Sequence, residues 1–430
     1  MRLPRENRRA WLAAAVLVVV AVIVVALAVY ETSKPKSIPN NPNVTFAQTD
    51  TTQTSTVPAK AAPKFVWPLY GLNDQRTRDF RGPAALTPIR GGRLQLTTAW
   101  HLGGNAPVEF PPVIDGNTLY FMDDNASVNK VNAITGKREW RKQIGKLSAA
   151  TPALDVRDHL MFAPVLSTVS SVINSTDGEF VAMHMTNGKI AWKFPVPSGS
   201  ESSPIVWGDN VYFGDQGGTV YDLNVHTGNV IWKFQTGGAE KGGPTLQNGV
   251  LYFGNYAGQL FAVNARNGHQ IWEESVDGPI YASPTLAYGR IYVGTTAGEF
   301  YSLSQSNGAI AWSIATGNYV YSSAAAADTP GLGPTVYFGS YTGNAYAVNA
   351  RNGQVDWEQS LGDSISGAAS IVNNVVFFSG VYKGYTKGFD MTTGNVVFTY
   401  DDGAYTATVA TPRAIYLSGH YTLYELLPKK

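Results

Sequence analysis

Ser202 to Phe234 reads SSPIVWGDNVYFGDQGGTVYDLNVHTGNVIWKF. Ser202–Val206 is a short apolar strand, and Gly208-Asp209-Asn210 is a turn. Val211–Gly214 is a second strand, and Asp215–Gly218 turns the chain again. Thr219–Asn224 alternates as a third strand, Thr227-Gly228 turns, and Val230–Phe234 is the fourth. Apolar alternation bounded by Gly and Asn at this spacing signals an all-β fold.

The unit recurs. Its tryptophan stands at Trp100, Trp140, Trp192, Trp232, Trp272, Trp312 and Trp357, and Phe398 takes the eighth place. Four of the seven spacings are 40 residues. From Gly136 onward a glycine precedes each by four residues, as at Gly188, Gly228, Gly268, Gly308, Gly353 and Gly394. Four strands per ~40 residues is one propeller blade. Asn187-Gly188, Asn267-Gly268, Asn307-Gly308 and Asn352-Gly353 join the two residue types most tolerant of positive φ. The tryptophan that follows is expected to pack between adjacent blades.

Val263–Trp272 reads VNARNGHQIW, Val348–Trp357 reads VNARNGQVDW, and Val131–Trp140 reads VNAITGKREW. These units resemble the repeat of the pyrroloquinoline-quinone (PQQ)-type β-propeller family, known from quinoprotein dehydrogenases and the outer-membrane barrel-assembly lipoprotein. The resemblance implies that the tryptophans are docking motifs interlocking neighbouring blades. Trp67-Pro68-Leu69-Tyr70-Gly71 resembles the segment that opens many such domains.

Closure sets the blade count. Thr406–Thr411, Ala414–Ser418 and Thr422–Leu426 make three strands at the C-terminus, and Leu94–Trp100 is an orphan strand near the start. Joined in one sheet they complete an eighth blade and remove the open edges. The expected fold is all-β: an eight-bladed propeller of four-stranded antiparallel blades over 65–430, with one N-terminal transmembrane helix.

Trp11–Tyr30 is twenty residues without a charge, the length that crosses ~30 Å of hydrocarbon. Residues 1–10 carry Arg2, Arg5, Arg8 and Arg9, which favours a cytoplasmic N-terminus and an extracytoplasmic propeller. The run exceeds the ~7–15 residues of a cleaved signal core, so a retained signal anchor is the expectation. Residues 31–64 are rich in Thr, Ser, Pro, Asn and Gln and read as a disordered tether. A net charge of +1 excludes the field that draws nucleic acid.

The 430 residues include no cysteine, which excludes disulfides, thiol nucleophiles and thiolate metal sites. A quinone-dependent alcohol or sugar dehydrogenase, with PQQ and calcium, is the enzymatic reading the resemblance raises. The family's vicinal disulfide against the quinone is missing, and Asp123-Asp124-Asn125 and Asp401-Asp402 show no ligand spacing and read as solvated loop acids. His101, His159, His184, His226, His269 and His420 form no metal motif. No catalytic residue, metal or cofactor is expected.

Counting back from the inner-strand prolines places Glu109, Ala149, Glu201, Lys241, Tyr281, Tyr321, Ser366 and Tyr405 or Thr406 around the channel mouth. Glu201 and Lys241 fall on neighbouring blades and are expected to pair. Leu166–Gly178 and Gly380–Gly388, the latter with Tyr382, Lys383, Tyr385 and Lys387, are long loops on the same face. That face is the expected contact for a protein partner or ligand. The leading function is a membrane-anchored, non-catalytic binding scaffold; the alternatives are the PQQ-dependent oxidoreductase and a small-ligand sensor.

Overall fold

A computed structural model describes Val19, Val20, Val22 and residues 36–47, 64–169, 177–403, 405 and 408–429. The expected membrane span lies almost entirely outside the described residues; Val19, Val20 and Val22 are helical and exposed. No helix among the described residues is long and apolar enough to cross a membrane.

Residues 64–429 form an eight-bladed β-propeller. Blade 1 consists of Val113–Asp115, Thr118–Asp123, Ser127–Asn132 and Arg138–Gln143. Blade 2 begins at Ala153, blade 3 at Ile205, blade 4 at Thr245, blade 5 at Thr285, blade 6 at Ala325 and blade 7 at Ser370. Blade 8 joins Thr408–Ala410, Ile415–Ser418 and Thr422–Pro428 to Leu96–Gly103, which pairs antiparallel with Thr422–Pro428. The ring therefore closes through both ends of the propeller. The closing strand starts later than Leu94, because Arg93–Leu94 pairs in a hairpin with Ile89–Arg90.

Six of the eight blade junctions are locked by one repeated contact. The indole Nε1–H of Trp232 donates to the Ala265 carbonyl of blade 4 at 2.9 Å. Trp100, Trp192, Trp272, Trp312 and Trp357 donate likewise to Ala133, Val225, Gln305, Ala350 and Met391. A tyrosine on the second strand often shares the acceptor: Tyr212 reaches Ala265 at 3.0 Å, and Tyr292 reaches Ala350 at 3.1 Å. Gly268, at φ +71°, lies beneath the Trp232 ring, and a Cβ there would meet the indole at 2.8 Å. The repeat glycine thus serves the tryptophan of the preceding blade as well as its own turn. Trp140 is an exception: its Nε1 is buried without an acceptor, and Tyr120 takes the Met185 carbonyl. Phe398 and Phe377 stand where other blades place Trp and Tyr. Blade 8 has no continuous turn between its third strand and Leu96–Gly103 to offer the acceptor.

Two segments depart from the expected boundaries. The first lies within the stretch expected to be a disordered tether. Residues 37–47 pack along blade 5: Asn41 N–H donates to Ala311, Ser313 N–H to Ile38, and Ala47 N–H to Tyr288. Arg290, buried, donates to the Val44 and Thr45 carbonyls at 2.6 Å each. Phe46 stacks on Tyr288 at 5.4 Å, with the Arg351 guanidinium 4.7 Å from its centroid. Val44, Phe46 and Arg290 supply what the polar composition lacks. The second segment, 66–80, lines the channel. Val66–Trp67 adds to the inner edge of blade 1, and Asp79–Phe80 runs parallel to Ser370–Val372 of blade 7. Between them the carbonyls of Pro68, Asp74, Gln75 and Thr77 accept from Leu154, Leu246, Leu286 and Ala326, on blades 2, 4, 5 and 6.

Two outcomes are expected from these contacts. Gly268→Ala should lower stability by ~1–3 kcal/mol, combining positive-φ strain with the clash on Trp232. Gly237→Ala, at φ +77° with nothing within 4 Å of its Cβ, should cost less, and denaturant midpoints would compare the two. Phe46→Ala should free the docked segment, so limited proteolysis between residues 36 and 64 should accelerate while the ring stays resistant.

Candidate functional site: the channel mouth

The residues just before the inner strands converge on one end of the channel. They enclose a cavity of about 220 Å³. Its lining includes Glu109, Ala149, Glu201, Lys241, Tyr281, Tyr321, Ser366 and Tyr405, one from each blade connection. Tyr70, from the channel-lining segment, also contributes. The opposite end is filled by that segment, with Trp67, Leu69, Arg76 and Arg78 all buried.

The mouth is chemically divided. On one side stand Glu109, Asp124 and Glu201. Glu201, 7% exposed, pairs with Lys241 at 2.7 Å and accepts from Gln216 Nε2 at 2.6 Å. Burial pushes Glu109 above the ordinary carboxylate range, opposed by the nearby Lys241. Burial and the adjacent Glu109 push Asp124 to about 8. Asp123 is buried and salt-bridged to Arg141 at 3.0 Å. The expectation of solvated loop acids therefore fails at Asp123-Asp124: closure of the ring carries that loop into partial burial. Asp402 likewise accepts from Tyr424 Oη at 2.7 Å.

The other side is a tyrosine ledge. Tyr256 stacks on Tyr281 at 4.1 Å, and Tyr281 on Tyr321 at 4.8 Å. Tyr341 meets Tyr321 edge-on at 4.8 Å, and Tyr319 stacks on Tyr321 at 5.3 Å. Lys241 joins the two sides, its Nζ 5.6 Å from the Tyr281 centroid. Tyr256 and Tyr341 escaped the proline-based count because they come from other loops, and Tyr319 because it stands two residues before the counted Tyr321. The parallel turns Gly254-Asn255-Tyr256 and Gly339-Ser340-Tyr341 were the available signal.

Beneath the floor, two arginines sit in the channel. Arg76 donates to the Pro244 carbonyl at 3.0 Å, to Ser203 at 2.8 Å, and to Tyr70. Arg78 donates to Ala324 at 3.0 Å, while its Nε and Nη2 are buried without acceptors. The Tyr70 ring, 4.7 Å from the Arg78 guanidinium carbon, offers a partial substitute through its π face. Desolvation lowers Arg76 to about 9 and raises Asp74 to about 6.

The two long loops both open on the mouth face. Residues 170–176 of Leu166–Gly178 lie outside the described residues; the loop's base is tied by Ser167 and Thr168 hydroxyls to Asp177 at 3.0 Å. In Gly380–Gly388, Tyr382 is 73% exposed. Lys383, exposed, and Tyr385, half-buried, both expected at the contact face, donate to the Gly362 and Leu361 carbonyls at 2.8 Å each, and Thr386–Gly388 already belongs to a strand. Their polar tips satisfy carbonyls of the blade 6–7 connection. On the opposite face, Asp158, Asp209 and His226 are the group among the described residues close enough to share a metal. The Arg157 guanidinium lies 2.7 Å from both aspartates and occupies that position.

The model of the PQQ-type repeat family described as outer membrane protein assembly factor BamB matches residues 85–240 and 217–427, and the chain belongs to that family. The solved BamB of Moraxella catarrhalis is 15% identical, with 77% of this chain and 99% of that one covered at a TM-score of 0.60. Quinohemoprotein alcohol dehydrogenase from Comamonas testosteroni is 14% identical, with 86% and 82% covered at a TM-score of 0.66. At these identities the likeness is one of fold. Tetrathionate hydrolase of Acidithiobacillus ferrooxidans is 26% identical over 123 residues, and that match spans 29% of this chain and 22% of the hydrolase.

Buried carboxylates set a pH dependence. Burial raises Asp222 to about 7, alongside Asp124 at about 8 and Asp74 at about 6. Each holds its proton in the folded chain after the unfolded chain has released it, above ~3.9. Their contribution is full below that value and is lost as pH rises to 8. Denaturant midpoints should therefore fall between pH 5 and pH 8, and Asp222→Asn should flatten the part of that slope below pH 7.

Proposed function

We propose that this chain is a non-catalytic binding scaffold that engages a protein partner through the mouth face of its propeller. One observation carries the reading. Exposed tyrosines Tyr319, Tyr382 and Tyr421 stand in the loops of the mouth face, beside a cavity whose own lining carries Tyr281, Tyr321, Tyr341 and Tyr405. Exposed tyrosines in a ring around a concave, polar centre have the make-up of a contact surface. The description of the family as an assembly factor accords with a partner that is itself a protein. The apolar run 11–30 would tether the scaffold to a membrane with the propeller on the extracytoplasmic side, and protease added to intact cells or spheroplasts should then remove the propeller.

The quinone-dependent dehydrogenase is the second reading, favoured by the shared fold. The donor set speaks against it. PQQ is a planar tricarboxylate, and a site for it needs cations. The cavity lining contributes one, Lys241, already paired with Glu201, and adds Glu109 of the same sign as the ligand. The volume of about 220 Å³ also falls below the ~300–1,000 Å³ usual for small-molecule sites.

Photoreactive residues at Tyr319, Tyr382 and Tyr421 should yield cross-links to a partner in native membranes, with controls at Leu332 and Asp209 on the opposite face remaining unlinked. Adducts at the controls alone would overturn the scaffold reading as placed. Tight quinone binding with calcium, followed by dye-linked alcohol oxidation, would reverse the ranking of the two readings.

A further inference from the structure

Blade 5 carries an outer edge unlike those of five other blades. The residue after the blade tryptophan is Arg141, Lys193, Lys233, Glu273 and Glu358 in blades 1, 2, 3, 4 and 6. Charge on an exposed sheet edge keeps other chains from pairing with it. In blade 5 that residue is Ser313, and the whole outer strand, Ile310–Ala315, reads IAWSIA. Ser313 is buried. Its Oγ accepts from the Ile38 N–H at 2.9 Å, and its own N–H donates to the Ile38 carbonyl at 3.1 Å. Arg290 is a second departure, standing where blades 3 and 4 begin their second strands with Asn210 and Val250. Its Nε and Nη2 donate to the Thr45 and Val44 carbonyls. Edge and arginine are both fitted to residues 37–47.

The direction of the segment matters as much as its fit. Ser37 Oγ accepts from the Ala315 N–H at 3.0 Å, Ile38 meets Ser313, and the Asn41 N–H donates to Ala311 at 2.7 Å. The segment therefore runs antiparallel to the outer strand. Ser37 lies at the strand end that leads into Asn318 and Tyr319 on the mouth face, and Ala47 ends at Tyr288 in a turn of the opposite face. The chain thus first reaches the ring at the mouth-face corner of blade 5, not at the blade 1 edge where Val66–Trp67 pairs. Only residues 31–36 separate the apolar run 11–30 from the docked chain. Six extended residues span ~20 Å, whereas residues 31–63 would span ~110 Å with nothing docked.

We propose that residues 37–47 are a strap that holds the mouth-face corner of blade 5 within ~20 Å of the bilayer surface, so that the mouth face serves a partner whose contact region is juxtamembrane. The proposal rests on the membrane-anchored scaffold reading and adds the point of attachment and the place of the partner. The long polar tether is thereby shortened to a brief leash.

The chain has no cysteine, so single cysteines carry a fluorophore without competition. Labels go at Asn318→Cys, on the mouth-face end of blade 5, and Lys137→Cys, on the opposite face of blade 1; both positions are exposed. The full-length chain is reconstituted in phosphatidylcholine–phosphatidylglycerol vesicles containing a headgroup-nitroxide lipid. The label at 318 should be quenched more than the label at 137. Ser313→Lys and Phe46→Ala, with release of the segment read by proteolysis between residues 36 and 64, should abolish that difference. A Gly/Ser insertion as long as residues 37–63, placed between Lys36 and Ser37, should abolish it too while leaving the docking contacts intact, which a merely structural role for the segment would not do. The same insertion should lower the yield of partner cross-links at Tyr319 and Tyr382 in native membranes. Equal quenching of the two labels without the other changes, or a difference that survives the insertion, overturns the strap. An unchanged cross-link yield with the insertion overturns the juxtamembrane partner. Failure of the chain to float with the vesicles overturns the anchor and the strap together. Flotation and mouth-face cross-links with equal quenching would leave the scaffold reading standing while the strap falls.

Discussion

Everything in this molecule hangs on an indole hydrogen bond across a blade boundary. A blade by itself has two apolar faces and two sheet edges, and it cannot bury them alone. The tryptophan Nε1–H, aimed at a carbonyl in the next blade, fixes both the distance and the rotation between neighbours. At Trp232 the ring lies on Gly268 and its donor reaches Ala265, three residues before that glycine. A side chain larger than hydrogen at Gly268 would lift the ring and break the bond. The same pair of constraints repeats at six of the eight junctions, so small errors do not accumulate and the last blade meets the first. The 7–8 junction shows the rule by its lapse. Where the ring is closed by a separate segment, with no turn to accept a bond, Phe377 and Phe398 replace the polar-tipped rings.

A ring of eight blades leaves an axial channel, and this chain fills much of it with itself. Residues 66–80 satisfy backbone donors of five blades and place Arg76 and Arg78 on the axis. Burying two guanidinium groups without a close carboxylate is costly, and carbonyl acceptors together with the Tyr70 face offset part of that cost. The result is a floor. It converts a through-channel into a shallow cup, open on the face where the inner strands begin.

The cup inherits its asymmetry from departures within an otherwise uniform repeat. Position 281 of blade 5 and position 321 of blade 6 carry tyrosine, whereas the equivalent positions of blades 1 and 3 carry Glu109 and Glu201. Because the scaffold holds all eight positions on one circle, substitutions remote in sequence become opposite walls of one site. Carboxylates crowded there lose water and repel one another, which raises Glu109 and Asp124.

The sequence by itself determined the blade period, the closing strand, the docking tryptophans and the ring of residues around the mouth. These are local or strictly periodic features: a turn needs its glycine, an alternating strand shows its buried face, and a count along the repeat places a residue on the circle. Tertiary structure decided the rest. The segment 37–47 looked too polar to order, yet a few anchors suffice once blade 5 supplies Arg290 and Tyr288, and blade 6 Arg351, as their receptors. Lys383 and Tyr385 gave no sign of their carbonyl partners, which lie 21 and 24 positions away in sequence. Tyr70 stood within a segment resembling the opening of such domains, but the buried Arg76 and Arg78 of the floor had no signature at all. A buried charge is defined by the acceptors around it, and those acceptors come together only when the ring has closed.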